Sequence, residues 1–514
     1  MKPNNKKYIL LLLLIILNIA IRLPMTSHER GNDSFYVHSL ANTIVANGNV
    51  EWMLHPLSAI GLFPFSYPSG IPVFLAELSY IIGTDIEYTI LIVSLFLGVL
   101  SVFSMYLLAK EIKDDTYFIF FAIFAFSIAP IFIDYTSWTI TARGAFIALS
   151  PLAIWSLLKY HNTQYKSTYL FLNIIIFTTL MTIHRAAFLL FLFVVAYYLS
   201  SRIEYIYEML KINDKQKALI KKNIPFIYGL CFFILIILPF CNIPLYSEHL
   251  YYSRKASSSF LFQQVSNPIL LIINMLIFYT LKCGVLIIFM PIGLITIIQK
   301  TNLFYVRLIS ISFLLFISVI GLRSYTLIAV LALLSILASF GILRVLSLLN
   351  KRKILTSFTI VLCLLIPIIS SCFMMNYWNS PSQVSDSPRY LYNSTYNSGK
   401  YIKEYVNDYP FEGPGESRIR AIFDLKLLSA ITKNSIAIDK NNIRTSFSLS
   451  YFDRGHLSPY KISYIEPPKR ILKSEIKYHI RYRTTNFSTL IQINEEKIYN
   501  NGFDTIMYSG KIGA

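Results

Sequence analysis

Residues 86–115 read IEYTILIVSLFLGVLSVFSMYLLAKEIKDD: an apolar run over 86–109 that stops at Lys110 and Lys113. As a helix such a run rises about 36 Å, enough to cross a hydrocarbon core of about 30 Å. A span that ends in basic residues places that end at the cytoplasm. Outward from this stretch, runs at 8–23, 116–133, 144–158, 167–182, 185–199, 223–241, 307–321, 324–343 and 354–373 read as further spans. The 268–299 stretch is interrupted by Lys282-Cys283-Gly284. It is either one span preceded by a surface or re-entrant helix, or a hairpin of two.

Loop charge chooses between them, because short cytoplasmic loops carry the lysine and arginine excess. With one span there, the alternating loops 1–7, 110–115, 159–166, 200–222, 300–307 and 344–353 hold 19 basic residues, and the other side holds eight before residue 374. A hairpin would invert the second half and put Lys351-Arg352-Lys353 outside. The expectation is a multi-pass protein of the cell membrane with eleven spans, its N-terminus in the cytoplasm. The whole chain agrees: 55% of its 514 residues are hydrophobic, 14% are charged, and mean hydropathy is +0.55. A single-helix anchor is excluded. The net charge of +19 suggests nucleic acid until its distribution is read; as a topology signal it leaves no nucleic-acid partner. All five cysteines (Cys231, Cys241, Cys283, Cys363, Cys372) fall in apolar segments, so neither a disulfide framework nor a thiolate metal cluster is expected.

Two domains follow. Residues 1–373 form an α-helical polytopic membrane domain with juxtamembrane helices and a long outer loop, 24–85. That loop holds an amphipathic helix from Ser34 to Asn47, stopped by Gly48, and runs through Tyr67-Pro68-Ser69-Gly70 into an apolar stretch, 71–82. The stretch is too short to span and is expected to lie along or dip into the outer leaflet. A second long outer segment, 242–267, carries Arg254 and Lys255. Residues 374–514 are polar and turn-rich and read as an extracytoplasmic soluble α/β domain. Within it we expect a helix over Lys400–Tyr409, then strand Arg418–Phe423, helix Leu425–Thr432 and strand Ser435–Ile438. A hairpin is expected around Asn500-Asn501-Gly502.

Transporters place ionisable residues deep in their spans. Here they cluster at outer ends, which suits a reaction at the membrane surface. Asp33 opens the amphipathic helix, as an N-cap or as a carboxylate that accepts a proton or binds a divalent metal. Asp134 follows the third span and on this topology faces the same side, so the two carboxylates can share one site; an ordinary interfacial loop with Trp138 in an aromatic belt is the alternative. Outer cations run against the topology bias: Arg143, His184, Arg185, Arg254, Lys255 and Arg323. They bind an anionic phosphate or pyrophosphate, or they snorkel to headgroups. Glu29, His38, His55 and Tyr67 are further outer-loop candidates. If a metal is held, Asp33 and Asp134 are its ligands.

The order of these features resembles the membrane glycosyltransferases of the C-type fold, the superfamily of protein O-mannosyltransferases, aminoarabinose transferase and the oligosaccharyltransferase catalytic subunit. The likeness lies in a first span followed by Asp33 with aromatic neighbours, Tyr67–Pro72 as Tyr-Pro-x-Gly-x-Pro, Gly83, a long span ending at Lys110–Lys113, and a third span delivering Asp134. It covers residues 8–200. The resemblance implies transfer of a sugar from a polyprenyl (dolichyl) phosphate-type donor to a glycan, lipid or protein acceptor. Asp33 would be base or metal ligand, Asp134 a second acidic partner, and His184, Arg185 and Arg323 would stabilise the departing phosphate. Two departures stand out. Tyr451-Phe452-Asp453-Arg454-Gly455 lacks the two tryptophans of the oligosaccharyltransferase signature, and the Asp-Glu pair of O-mannosyltransferases is missing, with only Glu29 near Asp33. The competing classes are a flippase or transporter of lipid-linked saccharides and a noncatalytic membrane scaffold.

Overall fold

A computed structural model describes residues 3–50, 53, 56–62, 67–202, 215, 277, 279–300, 303–317, 323–349, 352–379 and 393–406. Beyond them it describes 411–412, 419, 422–423, 427–429, 436–438, 478–482, 496–500 and 504–508. The expected span at 223–241 and the outer segment 242–267 lie outside the described residues. The chain falls into two compact units. One comprises Met1–Ile21, Phe96–Tyr135 and Arg143–Met375; the other comprises Arg22–Leu95, Thr136–Ala142 and Asn376–Ala514.

The helices follow the apolar runs: α1 Pro3–Arg22, α2 Asn32–Asn47, α3 Gly70–Ile82, α4 Ile86–Ile112, α5 Thr116–Ser127, α6 Pro130–Asp134, α7 Ala142–Asn162, α8 Lys166–Ile183 and α9 Ala187–Ser201. After them come α10 Met290–Lys300, α11 Leu303–Ile317, α12 Arg323–Leu349 and α13 Lys353–Asn379. Among the described residues, four helices are long and apolar enough to cross a membrane: 86–112, 166–183, 327–349 and 353–373. This is a helical membrane protein.

Glycine ends the two short helices, at Gly48 as expected and also at Gly83. Gly48 (φ +70°) and Gly83 (φ +72°) close α2 and α3, each N–H returning to a carbonyl four residues back at 2.8 Å. At 13 residues, α3 is about 20 Å long, short of the membrane core.

The expected span 116–133 is instead two helices. Pro130 has no N–H to give and forces Ala129 into extended backbone (ψ +128°), so α5 stops at Ser127 and α6 restarts with proline in its first turn. The break frees the carbonyl of Ile128, which accepts a hydrogen bond from Ser371 Oγ at 2.8 Å. In the 268–299 stretch the chain is helical to Cys283, turns at Gly284 (φ +90°), and continues as a 3-10 turn, Val285–Phe289, into α10.

Backbone contact joins α10 to α12. A Cβ on Gly293 would land on the carbonyl of Leu337, and one on Gly341 on that of Phe289. This is the close approach small residues permit in a membrane, where burial of apolar surface does not drive association. Ser339 Oγ, on α12, donates to the carbonyl of Phe118 on α5 at 2.8 Å. On α1, Asn18 is fully buried and donates to Leu14 O and Ser127 Oγ, both at 2.9 Å. At the far end of this unit Lys7 pairs with Asp114 at 3.0 Å, Glu111 takes Lys159 at 3.1 Å and Asn162 at 2.7 Å, and Asn162 reaches Tyr305 at 2.9 Å. Four loops that the charge count groups on one side thus meet.

Beyond residue 380 the described elements are α14 Asn393–Tyr401, running into a π turn to Val406, and six strands: β1 Phe411–Glu412, β2 Leu427–Ser429, β3 Ile436–Ile438, β4 Tyr478–Tyr482, β5 Glu496–Asn500 and β6 Asp504–Tyr508. A four-stranded sheet has the order β1-β4-β6-β5, with only the β1–β4 pair parallel, and β2 pairs with β3 antiparallel. The β5–β6 hairpin brackets Asn501 and Gly502 as expected, with Tyr499 opposite Ile506. The β-α-β order over 418–438 is corrected. Ile419 and Ile422 are helical, and Leu427–Ser429, expected to be helix, is strand. Apolar runs this short carry no decisive period.

Candidate functional site

The second unit is built on a loop, 23–31, stitched to the segment 136–141. Arg22 Nε donates to Thr136 Oγ1 at 2.9 Å, Arg30 Nε to Ser137 O at 2.7 Å, the Arg30 N–H to Trp138 O at 3.1 Å, and the Ile140 N–H to Ser34 Oγ at 2.9 Å. Gly31 (φ +94°) is the hinge of this seam: a Cβ there would lie 2.7 Å from Thr139 Oγ1. Trp138 is no belt residue. It is buried, takes a positive φ of 43°, and donates its indole N–H to the carbonyl of Glu87 at 3.2 Å.

This seam sets the start of α2. Gly31 is the N-cap residue and Asn32 the first of the helix, so Asp33 sits within the first turn and does not cap it, correcting the capping expectation. Its side chain is exposed, while Ser34, Phe35, Val37 and His38 are buried. A carboxylate in a first turn is stabilised by the helix dipole.

Beneath α2 lie two carboxylate–imidazole pairs. His38 Nδ1 is 3.0 Å from Glu29 Oε1, and both side chains are buried. His28 Nδ1 is 3.1 Å from Glu87 Oε1, which also accepts the Glu29 N–H at 3.0 Å. Burial pushes the Glu29 carboxyl above the ordinary carboxylate range; the charge of Glu87 adds to this, and His38 and His28 oppose it. From the C-terminal segment, Tyr396 on α14 stacks on His28 (centroids 4.3 Å, interplanar angle 14°) and packs on Phe423. Neither Glu87 nor Tyr396 is singled out by sequence reasoning. Glu87 carries one signal, an acidic residue at the outer mouth of a long span.

The first unit carries the cations. Asp134 ends α6 and is half-buried, as is Tyr135. Arg143, near the start of α7, sits over the Tyr135 ring (5.5 Å to its centroid) and donates to its hydroxyl at 3.4 Å. His184 occupies the α8–α9 junction, where Nδ1 accepts the Ala186 N–H at 3.0 Å and Phe146 lies against the ring. Burial, then the charges of Arg143 and Arg185, hold the imidazole well below its ordinary pKa. It is therefore neutral, and with Nδ1 accepting, its proton is on Nε2. Two guanidinium groups and one imidazole are thus electrostatically coupled at these helix ends.

Of the other candidates, Arg323 is the first residue of α12, with its side chain outside the described residues, and Tyr67 is half-buried just before α3. His55, Arg254 and Lys255 lie outside the described residues. Asp33 belongs to one compact unit and Asp134 to the other. Among the described residues no group of three His, Cys, Asp or Glu side chains converges to hold a metal ion.

With this geometry in place, the chain aligns with the Archaeoglobus fulgidus oligosaccharyltransferase, solved in complex with Zn and sulfate. The TM-score is 0.55 at 15% identity, over 92% of this chain and 68% of that one. The two share a fold. The archaeal oligosaccharyltransferase AglB from the same organism, in complex with an inhibitory peptide and a dolichol-phosphate, aligns with a TM-score of 0.53 at 13% identity over 93% and 69% of the two chains. ArnT from Cupriavidus metallidurans aligns over 99% of both chains with a TM-score of 0.45 and 12% identity. No protein-family model and no curated protein sequence matches.

Proposed function

We propose that the chain is a membrane glycosyltransferase that moves a sugar from a polyprenyl-phosphate-linked donor to a glycan, lipid or protein acceptor at the outer face of the membrane. The observation that carries this reading is the group Arg143, His184 and Arg185 at the helix ends of a chain with this fold, with Arg143 lying over Tyr135. The A. fulgidus protein of the same fold is described with a dolichol-phosphate, and a lipid phosphate suits two arginines and a neutral imidazole N–H. The described spans keep ionisable residues near their ends, which favours transfer over a flippase. The exposed carboxylate at Asp33 goes beyond what a scaffold needs.

In the proposed reaction Asp33 accepts the proton of the acceptor nucleophile as its lone pair attacks the anomeric carbon. The bond from that carbon to the phosphate oxygen breaks, and its electron pair leaves with the polyprenyl phosphate. Within the other unit, the group of Arg143, Arg185 and His184 has the charge and chemistry that suit a lipid phosphate. Eleven spans, a membrane domain over 1–373 and an outward α/β domain over 374–514 complete the reading, with the N-terminus in the cytoplasm.

The test uses the purified full chain with undecaprenyl phosphate and dolichyl phosphate as probes, binding read by native mass spectrometry. Arg143→Ala and Arg185→Ala should each weaken binding about tenfold or more, as loss of a charge-assisted bond does. Binding unchanged in both would remove the phosphate site.

A further inference from the structure

The Glu29–His38 pair is buried on both sides. Glu29 is wholly buried, one of its oxygens is held by His38, and the other, Oε2, has no hydrogen-bond partner among the described residues. A half-satisfied buried carboxyl costs stability. Packing alone would be better served by an apolar side chain. What the carboxyl supplies is a directional bond from the loop 23–31 to one position on α2.

That position bears on Asp33. Residues 33 and 38 are five apart, so at 100° per residue they leave the helix about 140° from each other. The buried His38 and the exposed Asp33 match this geometry. Rotation of α2 about its axis is therefore read out directly in where residue 33 is presented. Two contacts oppose such rotation: the Ile140 N–H to Ser34 Oγ bond at the first turn, and the His38–Glu29 bond a turn further on. Glu29 is itself anchored, because its N–H is held by Glu87 Oε1, which also takes His28.

We propose that Glu29 and His38 are positioning residues for Asp33, a buried clamp that fixes the rotation of α2. The role of Asp33 in transfer rests on the glycosyltransferase reading; the clamp itself rests on geometry alone.

The experiment reads residue 33 without reading activity. In the full chain, with its five native cysteines replaced by serine, Asp33→Cys is labelled by a charged maleimide in detergent. Lys166→Cys, exposed at the start of α8, is the control site. Glu29→Ala and His38→Ala should each change the labelling rate at position 33 by about fivefold or more and leave position 166 within about twofold, since thiol labelling follows local exposure. Glu29→Gln, which keeps the shape and an acceptor oxygen, should restore the rate. An unchanged rate at position 33 in both alanine variants would overturn the clamp. If those variants unfold, Glu29→Asp decides, because it keeps the charge and loses the reach: a shifted rate at 33 supports the clamp and an unshifted one overturns it. Asp33→Asn that still sustains glycan synthesis would end the transferase reading and leave the labelling result standing.

Discussion

Asp33 shows what a single residue discloses. Its type and its place before an amphipathic helix are legible in the sequence, but its partition between capping and chemistry is not. Gly31, two residues before it, takes the capping position, where the seam with Thr139 leaves no room for a side chain. Asp33→Asn should therefore fold, losing about 0.3–1 kcal/mol of dipole interaction at most. Transfer should fall about 10²–10⁴-fold, as for loss of a general base. The two carboxylate–imidazole pairs were less legible: Glu29 and His38 stand out as ionisable residues nine positions apart, yet the arrival of Glu87 and Tyr396 depends on contacts 58 and more positions away. Glu29 also makes a pH prediction. Its carboxyl is raised by burial, so the stability it confers is fully present below the ordinary value of about 4.3 and is lost as pH climbs through the raised one. Glu29→Gln should match wild type in thermal unfolding at low pH and become increasingly the more stable as pH rises. A difference constant with pH would mean that Glu29 keeps an ordinary proton affinity. The groups facing it, His38, His28 and Glu87, are present in both proteins, and through their coupling to the Glu29 charge they share in the titration that the comparison reads.

Among the elements, long apolar runs and the Gly48 stop of α2 were readable because both are local signals. The break at Pro130 was equally local, and the residue before a proline avoids helix, yet hydropathy alone ran the span through it. The strands near residue 428 were misread because three apolar residues fit helix and strand alike. No local signal announces the glycine crossing of α10 and α12, since Gly293 and Gly341 lie 48 positions apart. Gly341→Val forces a side chain onto the Phe289 carbonyl. It should cost about 1–3 kcal/mol or more by overpacking, read as a lower unfolding temperature in detergent. Gly341→Ala should already lower it, since even a Cβ lands on that carbonyl; an unchanged unfolding temperature in both variants would mean that the close approach is not what holds the helices.

For the molecule as a whole, the alternation of loop charge was the most informative global feature, and four loops grouped by it do meet through Lys7, Glu111, Asn162 and Tyr305. Which side they face is a prediction. Protease added to intact cells or spheroplasts should cut within 374–514; cutting only after lysis would invert the topology. The Tyr396–His28 stack further implies that a fragment beginning near residue 380 unfolds at lower temperature alone than within the full chain. The central claim is that this chain transfers a lipid-linked sugar through Asp33. The direct measurement is mass spectrometry of surface glycans and polyprenyl-linked sugars in cells with the wild-type chain, without it, and with Asp33→Asn at matched protein levels. The account predicts that the glycan is lost and the lipid-linked donor accumulates both without the chain and with Asp33→Asn. A glycan restored by Asp33→Asn as fully as by wild type would contradict it.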